Sequence, residues 1–379
     1  MSDQSKGLAG IVVADTSSSY VDGQQGILIY RGYAIQDLGA YASFEEVVYL
    51  LWYGDLPNAE QLAEFDARLK ANRDIPADLL DLMRDYPKDA EPMAVLRTAV
   101  SSLGMYDPTA DDVSLDAARA KALALTASMP TIVAAWERIR YGNEPIAPDP
   151  DLGHAANFLY MLDGEEPNPD AVAALNAYLV MLADHGFNAS TFAARVTTGT
   201  GSDLYSAITS AVGTLKGPSH GGAAQRAMEQ FVEAGEATSV ADWYNNARAT
   251  DRRIMGIGHR VYKVEDPRAR ILRPLAEKYA SSGGESKWYD IAYEIEQLSR
   301  QDDFFIERKL FANVDYYSAV VLYSIGLPMD QFTCVFAISR VAGWTTHVLE
   351  QLADNRLIRP KANYVGEMDK PFVIIAERN

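Results

Sequence analysis

The sequence predicts a mainly α-helical protein with a few short β-strands near its N-terminus. Apolar residues recur at spacings of three and four through most of the chain, as on the buried face of an amphipathic helix. Clusters of Gly and Pro interrupt this pattern, as expected where one helix ends and the next begins. Residues 8–35 differ, because they are punctuated by Gly and rich in residues that favour strands.

The elements follow one another in a simple order. Residues 8–35 predict a pair of small strands or hairpins, and helices occupy the rest. The first helix has a start signal, since Ser43 and Glu46 have the spacing of a capping box. The proline-rich stretch 141–153 is the most linker-like, and "SSGGESK" (281–287) predicts a second flexible loop. Helical periodicity marks the segments 44–53, 59–70, 91–103, 115–140, 170–184, 203–215, 223–234, 240–249, 268–281, 288–299, 302–311, 316–325 and 329–354.

Composition limits the class of protein and of ligand. The 379 residues are enough for one large domain or two, and the net charge of −18 argues against nucleic acid or an anionic membrane as partner. No apolar run approaches the roughly 20 residues of a membrane span. The N-terminal residues lack the pattern of a secretory signal, and the single Cys334 predicts a buried side chain. We therefore expect a cytoplasmic protein, or a protein of an organelle whose targeting peptide is absent from this sequence.

Histidine is the most informative residue type for chemistry, because the chain has only five. His220 and His259 lie in Gly-flanked loops, "GPSHGG" and "MGIGHRVYK", and His185 follows a helix in "ADHGFNAST". Turns need Gly and Pro, but they do not need a histidine. A solvated loop histidine is the alternative interpretation for any one of them.

Three other classes of site have weaker support. Zinc would need ligand pairs, yet there is no second Cys, and His347 with Glu350 predicts a local helix contact rather than a metal site. A serine hydrolase would need a nucleophile elbow, which is absent, and Ser219 beside His220 cannot easily point at it. "MGIG" lacks the strand and helix of a dinucleotide site.

A carboxylate and three arginines complete the candidate set. Asp315 precedes an apolar helix, where it could be the N-cap, or could act as a base among apolar neighbours. Arg340 interrupts an apolar helix, which is costly unless an anion pairs with it. Arg268 follows the His259 loop, and Arg359 lies in a polar tail. Each could form a structural salt bridge, but together they predict a small substrate with more than one carboxylate.

These residues lie in motifs that occur in a known order and spacing. The motifs are "GPSHGGA", "MGIGHRVYK" followed by "DPRA", "NVDYYSA", and "AISRVAGW" followed by "RPKANYVG". The sequence therefore resembles the citrate synthases, of the shorter type found in many bacteria and archaea, over nearly its whole length. One departure is Ala312 before "NVD", where many members have Pro.

The resemblance implies condensation of the acetyl-CoA methyl group with the keto carbon of oxaloacetate, followed by thioester hydrolysis, with no cofactor besides the substrates. It implies Asp315 as the base, His220 as the group that stabilises the enol, and His259 as the donor to the oxaloacetate carbonyl. The residues implied in binding are His185, Asn188, Arg268, Arg340 and Arg359 for oxaloacetate, and Gly256, Ile257 and Gly258 for CoA.

The same resemblance implies a two-domain citrate-synthase-like fold and a homodimer. Residues 1–219 and 322–379 would form a large helical domain, and 220–321 a small helical domain that closes over it. Arg359 would come from the partner subunit.

Three alternatives remain open. A 2-methylcitrate synthase would use propionyl-CoA with the same residues. A catalytically silent homologue that senses a metabolite should have lost His220, His259 or Asp315, and all three are present. An unrelated hydrolase would require the register of the motifs to be a coincidence.

Overall fold

The computed structural model describes residues 6–8, 10–281 and 286–378. The middle of the predicted loop 281–287 lies outside these residues. The predicted strands are confirmed: β1 (Ser19–Asp22), β2 (Ile27–Tyr30) and β3 (Tyr33–Ala34) form one antiparallel sheet in that order. Ser19 pairs with Tyr30 across β1 and β2, and both residues reach the candidate site described below.

Helices make up most of the rest, as predicted. In chain order the described α-helices are α1 (Ile35–Tyr41), α2 (Phe44–Tyr53), α3 (Ala59–Lys70), α4 (Ala77–Arg84), α5 (Pro92–Tyr106), α6 (Leu115–Arg140), α7 (His154–Asp163), α8 (Pro169–Leu182), α9 (Ala189–Gly199), α10 (Leu204–Leu215), α11 (Ala223–Glu236), α12 (Val240–Ala249), α13 (Ala269–Ser281), α14 (Lys287–Gln301), α15 (Asp303–Glu307), α16 (Val314–Ser324) and α17 (Phe332–Ala353). Short 3-10 turns lie at Lys6–Leu8, Met329–Gln331 and Ile375–Glu377.

Each segment with helical periodicity contains a helix, but the pattern missed α1, α4, α7 and α9. The first two are short, so few apolar positions repeat in them. Helix α9 buries Ser190, Thr191 and Arg195 among other residues, so its inner face is polar and shows little apolar periodicity. In the opposite direction, the segment 302–311 contains a helix of five residues only.

Capping explains where two of these helices begin. Ser43 and Glu46 form the predicted capping box, with Glu46 N donating to Ser43 Oγ at 3.2 Å and Ser43 N donating to Glu46 Oε2 at 2.7 Å. At α16 the N-cap is Asn313, whose Oδ1 accepts from Asp315 N at 2.9 Å. The N-cap interpretation of Asp315 is therefore wrong, because Asn313 caps this helix and the Asp315 carboxylate does not.

Helix α17 is the centre of the core. It packs against α6, α8, α9 and α10, and almost all of its side chains are buried. Cys334 is buried in it, as predicted, and His347 lies one turn from Glu350 with Nδ1 and Oε2 3.6 Å apart, which confirms the predicted local contact. Within the described ranges, no helix combines the length and apolarity that a bilayer span requires.

Of the two boundaries predicted between the domains, one lies in a loop and the other lies inside a helix. The boundary between 219 and 220 falls in the loop that joins α10 to α11, and the boundary between 321 and 322 falls inside α16. Helix α16 packs against α11, α13 and α14, and also reaches α8. The division itself stays a prediction.

Candidate active site

The candidate residues between positions 185 and 340 lie close together in the structure, on three loops and on helices α16 and α17. His185 lies between α8 and α9, His220 between α10 and α11, and His259 in the loop after α12. The His185 and His259 rings are edge to face, with centroids 5.6 Å apart. The His185 Nε2 and the Tyr262 hydroxyl are 3.0 Å apart. Tyr262 thus joins two of the predicted histidines.

His259 has a fixed pattern of hydrogen bonds. Its Nδ1 accepts from the backbone N–H groups of Val261 at 3.0 Å and Tyr262 at 3.2 Å. An accepting nitrogen carries no proton, so in the neutral ring the proton lies on Nε2. Burial, together with the Arg268 guanidinium, lowers the pKa of His259 to about 4. The ring is therefore neutral near pH 7 and offers Nε2–H as a donor.

His220 offers the opposite nitrogen. Its Nε2 lies 2.8 Å from Ser190 Oγ and accepts from Ser190 N at 3.4 Å. Because Nε2 accepts, the proton of the neutral ring lies on Nδ1, which has no hydrogen-bond partner among the residues that the structure describes. Burial and the Arg340 charge lower the pKa of His220 to about 4. This ring too is a neutral donor.

Ser190 is held in place from two sides. Its hydroxyl accepts from Trp344 Nε1 at 3.0 Å and is 2.8 Å from Asn188 Oδ1. Asn188 is the N-cap of α9 and accepts from the N–H groups of Ser190 and Thr191. Asn188 was predicted to hold oxaloacetate. In this structure its amide oxygen contacts Ser190, which in turn contacts His220.

Asp315 occupies the first turn of α16, close to the arginines. Among the described residues its carboxylate accepts no hydrogen bond. Burial raises the pKa of Asp315 to about 6, with a further contribution from the neighbouring Asp266, against the opposing charges of Arg268 and Arg340. A carboxylate with a raised pKa is a stronger base than one in water.

The two buried arginines differ in their partners. Arg268 forms a bidentate ion pair with Asp266, with distances of 3.0 Å from Nε and 2.8 Å from Nη2. Arg340 is 2 % exposed; its Nε donates to the Leu182 carbonyl at 2.6 Å, and its guanidinium lies over the Phe336 ring. Within the described part of the chain Arg340 has no ion pair with a carboxylate. A buried cation without its anion is suited to bind one.

Arg359 is not brought together with these residues within one chain. It lies in the exposed segment 354–378, which follows α17. It has no hydrogen bond or ion pair to any other described residue. Its place in the site is therefore not explained by this chain alone.

The predicted CoA-binding glycines have a structural task. Gly256 O accepts from Asn313 N at 2.9 Å, and Gly258 N donates to Phe311 O at 2.7 Å, around the bridge between Ile257 and Ala312. Gly256 has a φ of 76°, and a Cβ there would lie 2.8 Å from the Tyr316 ring. The loop thus packs directly on the start of α16, and this contact sets the position of Asp315 relative to His259.

Sequence reasoning missed several supporting residues. Asp266 precedes Pro267 in a motif that was noted for Arg268, and its Oδ2 also accepts from Val314 N at 3.2 Å. It thereby ties Arg268 to the helix that carries Asp315. Tyr262 stands three residues after His259. Ser190 gave no signal, because serine near a helix start is usually an ordinary polar residue.

This arrangement can carry out proton abstraction next to a carbonyl. It combines one base, two neutral N–H donors and buried cations. The base can remove a proton from carbon while one histidine donates to the enol oxygen, and the second histidine can polarise another carbonyl.

The chain is similar to a known family, to several relatives and to solved structures. A family model described as citrate synthase, C-terminal domain, matches residues 7–361. The citrate synthase of Haloferax volcanii is 47% identical over 98% of this chain and 98% of its own. A 2-methylcitrate synthase of Mycobacterium tuberculosis is 43% identical over 96% of this chain and 91% of its own. The structure of Thermoplasma acidophilum citrate synthase with carboxymethyl coenzyme A and oxaloacetate is 36% identical, with a TM-score of 0.93, over 98% of this chain and 99% of its own.

Proposed function

Because the chain belongs to the citrate synthase family, we propose that it condenses acetyl-CoA with oxaloacetate and water to give citrate and CoA. The observation that carries this proposal is the placement of Asp315, a carboxylate whose pKa is raised to about 6, with two neutral histidine donors and two buried arginines. The related structure with a CoA analogue and oxaloacetate supports the same pair of substrates.

The first step is removal of a methyl proton from acetyl-CoA. Asp315 takes the proton, and His220 donates Nδ1–H to the thioester oxygen as its negative charge develops. A thioester methyl group is a very weak carbon acid, so the donor and the base are needed together. A neutral imidazole is suited to this, because its proton is shared with the enol oxygen rather than given up.

The second step forms the carbon–carbon bond. The enol carbon attacks the keto carbon of oxaloacetate, and His259 donates a hydrogen bond from Nε2–H to the keto oxygen. As the carbon–carbon bond forms, the Nε2 proton passes to this oxygen, which becomes the hydroxyl of the product, and solvent returns a proton to the ring. Arg268 and Arg340 hold the carboxylates of oxaloacetate, and His185 contacts it beside His259. Two-point contacts between guanidinium and carboxylate fix the face that is attacked.

The third step is hydrolysis of the thioester by water, which releases CoA. Water must be excluded before condensation and admitted after it. Closure of residues 220–321 over the rest of the chain would provide this control, because lids that close on substrate exclude bulk solvent. We propose that the backbone of Gly256, Ile257 and Gly258 lies along the CoA adenine.

We further propose a homodimer in which Arg359 completes the site of the partner. The exposure of Arg359 and of nearly all of the segment 354–378, together with the absence of a partner for Arg359 within the described residues, supports this. A third cation would match a substrate with two carboxylates and a keto group. The cytoplasmic location expected from composition stays a prediction.

Steady-state rates with acetyl-CoA and propionyl-CoA test the function. We expect kcat/KM to be larger with acetyl-CoA, and citrate to be the product. The relative named 2-methylcitrate synthase supports the second candidate, and the two substrates differ by one methylene, worth about 1–3 kcal/mol in an apolar pocket. A larger kcat/KM with propionyl-CoA would establish that candidate, and no condensation with either substrate would favour the silent homologue.

A further inference from the structure

We propose that Ser19, on strand β1, is a positioning residue for His185. Its hydroxyl closes the loop Asp184–Gly186 and so sets the direction in which the His185 ring faces the substrate. This inference rests on the proposed role of His185 in binding oxaloacetate. Ser19 contacts Asp184 and Gly186 rather than the His185 ring, and it is not a catalytic residue.

The contact is a pair of hydrogen bonds through one oxygen. Ser19 Oγ donates to Asp184 Oδ2 at 2.6 Å and accepts from Gly186 N at 3.0 Å. The two partners flank His185 in sequence, so Ser19 links the residues on either side of it and closes the loop that carries the imidazole. Gly186 has a φ of 57°, a left-handed conformation that suits glycine and turns the chain back toward Ser19.

Asp184 is held as a carboxylate, so that it always accepts. It is fully buried, with His347 Nε2 3.2 Å from its Oδ1 and the Ser18 hydroxyl donating to its Oδ2 at 3.2 Å. Burial alone would raise the pKa of Asp184, but His347 and the hydrogen bond from Ser19 outweigh it, and the pKa is lowered to about 2. The hydrogen bond from Ser19 therefore points one way at any working pH.

The strand that carries Ser19 is itself rigid relative to the loop. Ser19 pairs with Tyr30 in the sheet. The Tyr30 hydroxyl donates to the backbone carbonyls of Met181 at 3.0 Å and Asp184 at 2.7 Å. One cross-strand pair thus contacts the segment before His185 and the segment after it. Removing the Ser19 hydroxyl releases Gly186 N and Asp184 Oδ2 and leaves the contacts of Tyr30 in place.

The orientation of His185 matters because the same ring also contacts Tyr262 and His259. Its Nε2 is paired with the Tyr262 hydroxyl at 3.0 Å, and its ring faces that of His259. Tyr262 N also donates to His259 Nδ1. A rotated His185 would lose the hydroxyl of Tyr262 and contact oxaloacetate less well, but it would leave Asp315 and His220 unchanged.

The test is Ser19→Ala, with Ser17→Ala as a matched control. Ser17 is a serine of the same segment whose hydroxyl contacts Glu350 and Arg31 and does not contact the loop. We expect Ser19→Ala to raise the KM for oxaloacetate by about 3- to 10-fold, the range for one lost buried hydrogen bond. The KM for acetyl-CoA and kcat should stay within about twofold, and Ser17→Ala should change none of the three.

A merely structural role gives a different result. If Ser19→Ala lowers the denaturation midpoint and changes both KM values and kcat together, or if it leaves the oxaloacetate KM at the wild-type value, the inference is overturned. A selective rise in the oxaloacetate KM, at an unchanged acetyl-CoA KM, supports it.

A double-mutant cycle separates this inference from the proposed function. In a His185→Ala background, Ser19→Ala should raise the oxaloacetate KM no further, because the residue through which Ser19 acts is gone. Additive effects would overturn the positioning role. If His185→Ala alone leaves the oxaloacetate KM unchanged, the proposed role of His185 fails, and the inference fails with it. If His185→Ala raises that KM and Ser19→Ala does not, only the inference fails.

Discussion

His220 and His259 have similar lowered pKa values, but each presents a different ring nitrogen. His259 accepts from two backbone N–H groups at Nδ1 and leaves Nε2–H, and His220 accepts from Ser190 N at Nε2 and leaves Nδ1–H. The tautomers follow from the local chain, because the donors to both rings come from neighbouring backbone or from a helix start. The sequence identified both histidines as candidates, but it could not indicate which nitrogen carries the proton.

The first prediction at this scale concerns Asp315→Asn. The variant should fold and lose about 10²–10⁴ in kcat, because a positioned general base contributes that much. Oxaloacetate binding should be nearly unchanged, since Arg268 and Arg340 remain. Steady-state rates and equilibrium binding check the two parts. Activity within a few-fold of the wild type would show that another group is the base.

The same substitution should stabilise the protein at alkaline pH. The pKa of Asp315 is raised to about 6 in the folded chain and is about 3.9 in an unfolded one. The buried charge therefore costs about 1–3 kcal/mol above pH 6, and the cost disappears as pH falls below 4. Denaturation midpoints of the wild type and Asp315→Asn should differ at pH 8 and coincide near pH 4.

The pH profile gives the second prediction. In the proposed mechanism Asp315 acts as an ionised base, so kcat/KM should fall about tenfold for each pH unit below about 6. His220 and His259, with pKa values of about 4, stay neutral through this range. The residual activity of Asp315→Asn should lack the inflection near pH 6. An inflection that persists in the variant would assign it to another group.

Among the secondary-structure elements, the long helices were predictable and the close contacts between loops were not. The periodicity of α6 and α17 is strong because both are buried along most of their length. Helix α9 was missed because its buried face is polar. The pairing of Ile257 with Ala312 depends on residues 55 positions apart, which no local pattern indicates. The motifs therefore predicted candidate residues from the sequence alone, and the structure adds Asp266, Tyr262 and Ser190, which contact them.

The third prediction concerns this loop contact. Gly256→Ala should destabilise the fold and shift α16, because a Cβ would lie 2.9 Å from Tyr316 Cα and the φ of 76° is unfavourable for alanine. Gly54→Ala is the matched control, since Gly54 has a φ of 95° and nothing within 4 Å of the added Cβ. Its cost should be about 1 kcal/mol from the backbone alone.

Denaturation midpoints and kcat should separate the two glycines. Gly256→Ala should cost about 1–3 kcal/mol more than Gly54→Ala, as overpacking does, and should lower kcat. Equal losses of stability in the two variants would mean that the contact with Tyr316 yields easily.

For the whole molecule, the distribution of charge is as important as its sum. The net charge of −18 repels an anionic substrate at a distance. Arg268 and Arg340 are nevertheless 2% exposed, so their attraction acts at short range and is weakly screened. Burial thus holds these two cations in place inside a molecule of negative net charge.

The fourth prediction tests whether Arg359 acts across a dimer. Asp315→Asn and Arg359→Leu should each give a nearly inactive homodimer, the second by losing a charge-assisted contact worth about 1.5–3 kcal/mol. The two variants are coexpressed with different tags, and the mixed dimer is purified. One of its sites would have both defects and the other neither, so about half the wild-type activity should return.

The parental homodimers, purified in the same way, are the control. If Arg359 acts within its own chain, every site in the mixed dimer keeps one defect. A mixed dimer no more active than its parents would then rule out the shared site.

The contacts of strand β1 and of the residues just before it join the beginning of the chain to segments that are synthesised much later. Ser19 cannot form its hydrogen bond until Asp184, 165 residues later in the chain, has been synthesised. Thr16 likewise depends on Glu350, 334 residues later. A ribosome adds about 5–20 residues per second, so the partners emerge roughly 8–33 s and 17–67 s after the strand. The N-terminal segment, the first part of the chain to be made, therefore has both of these contacts only when translation is nearly over.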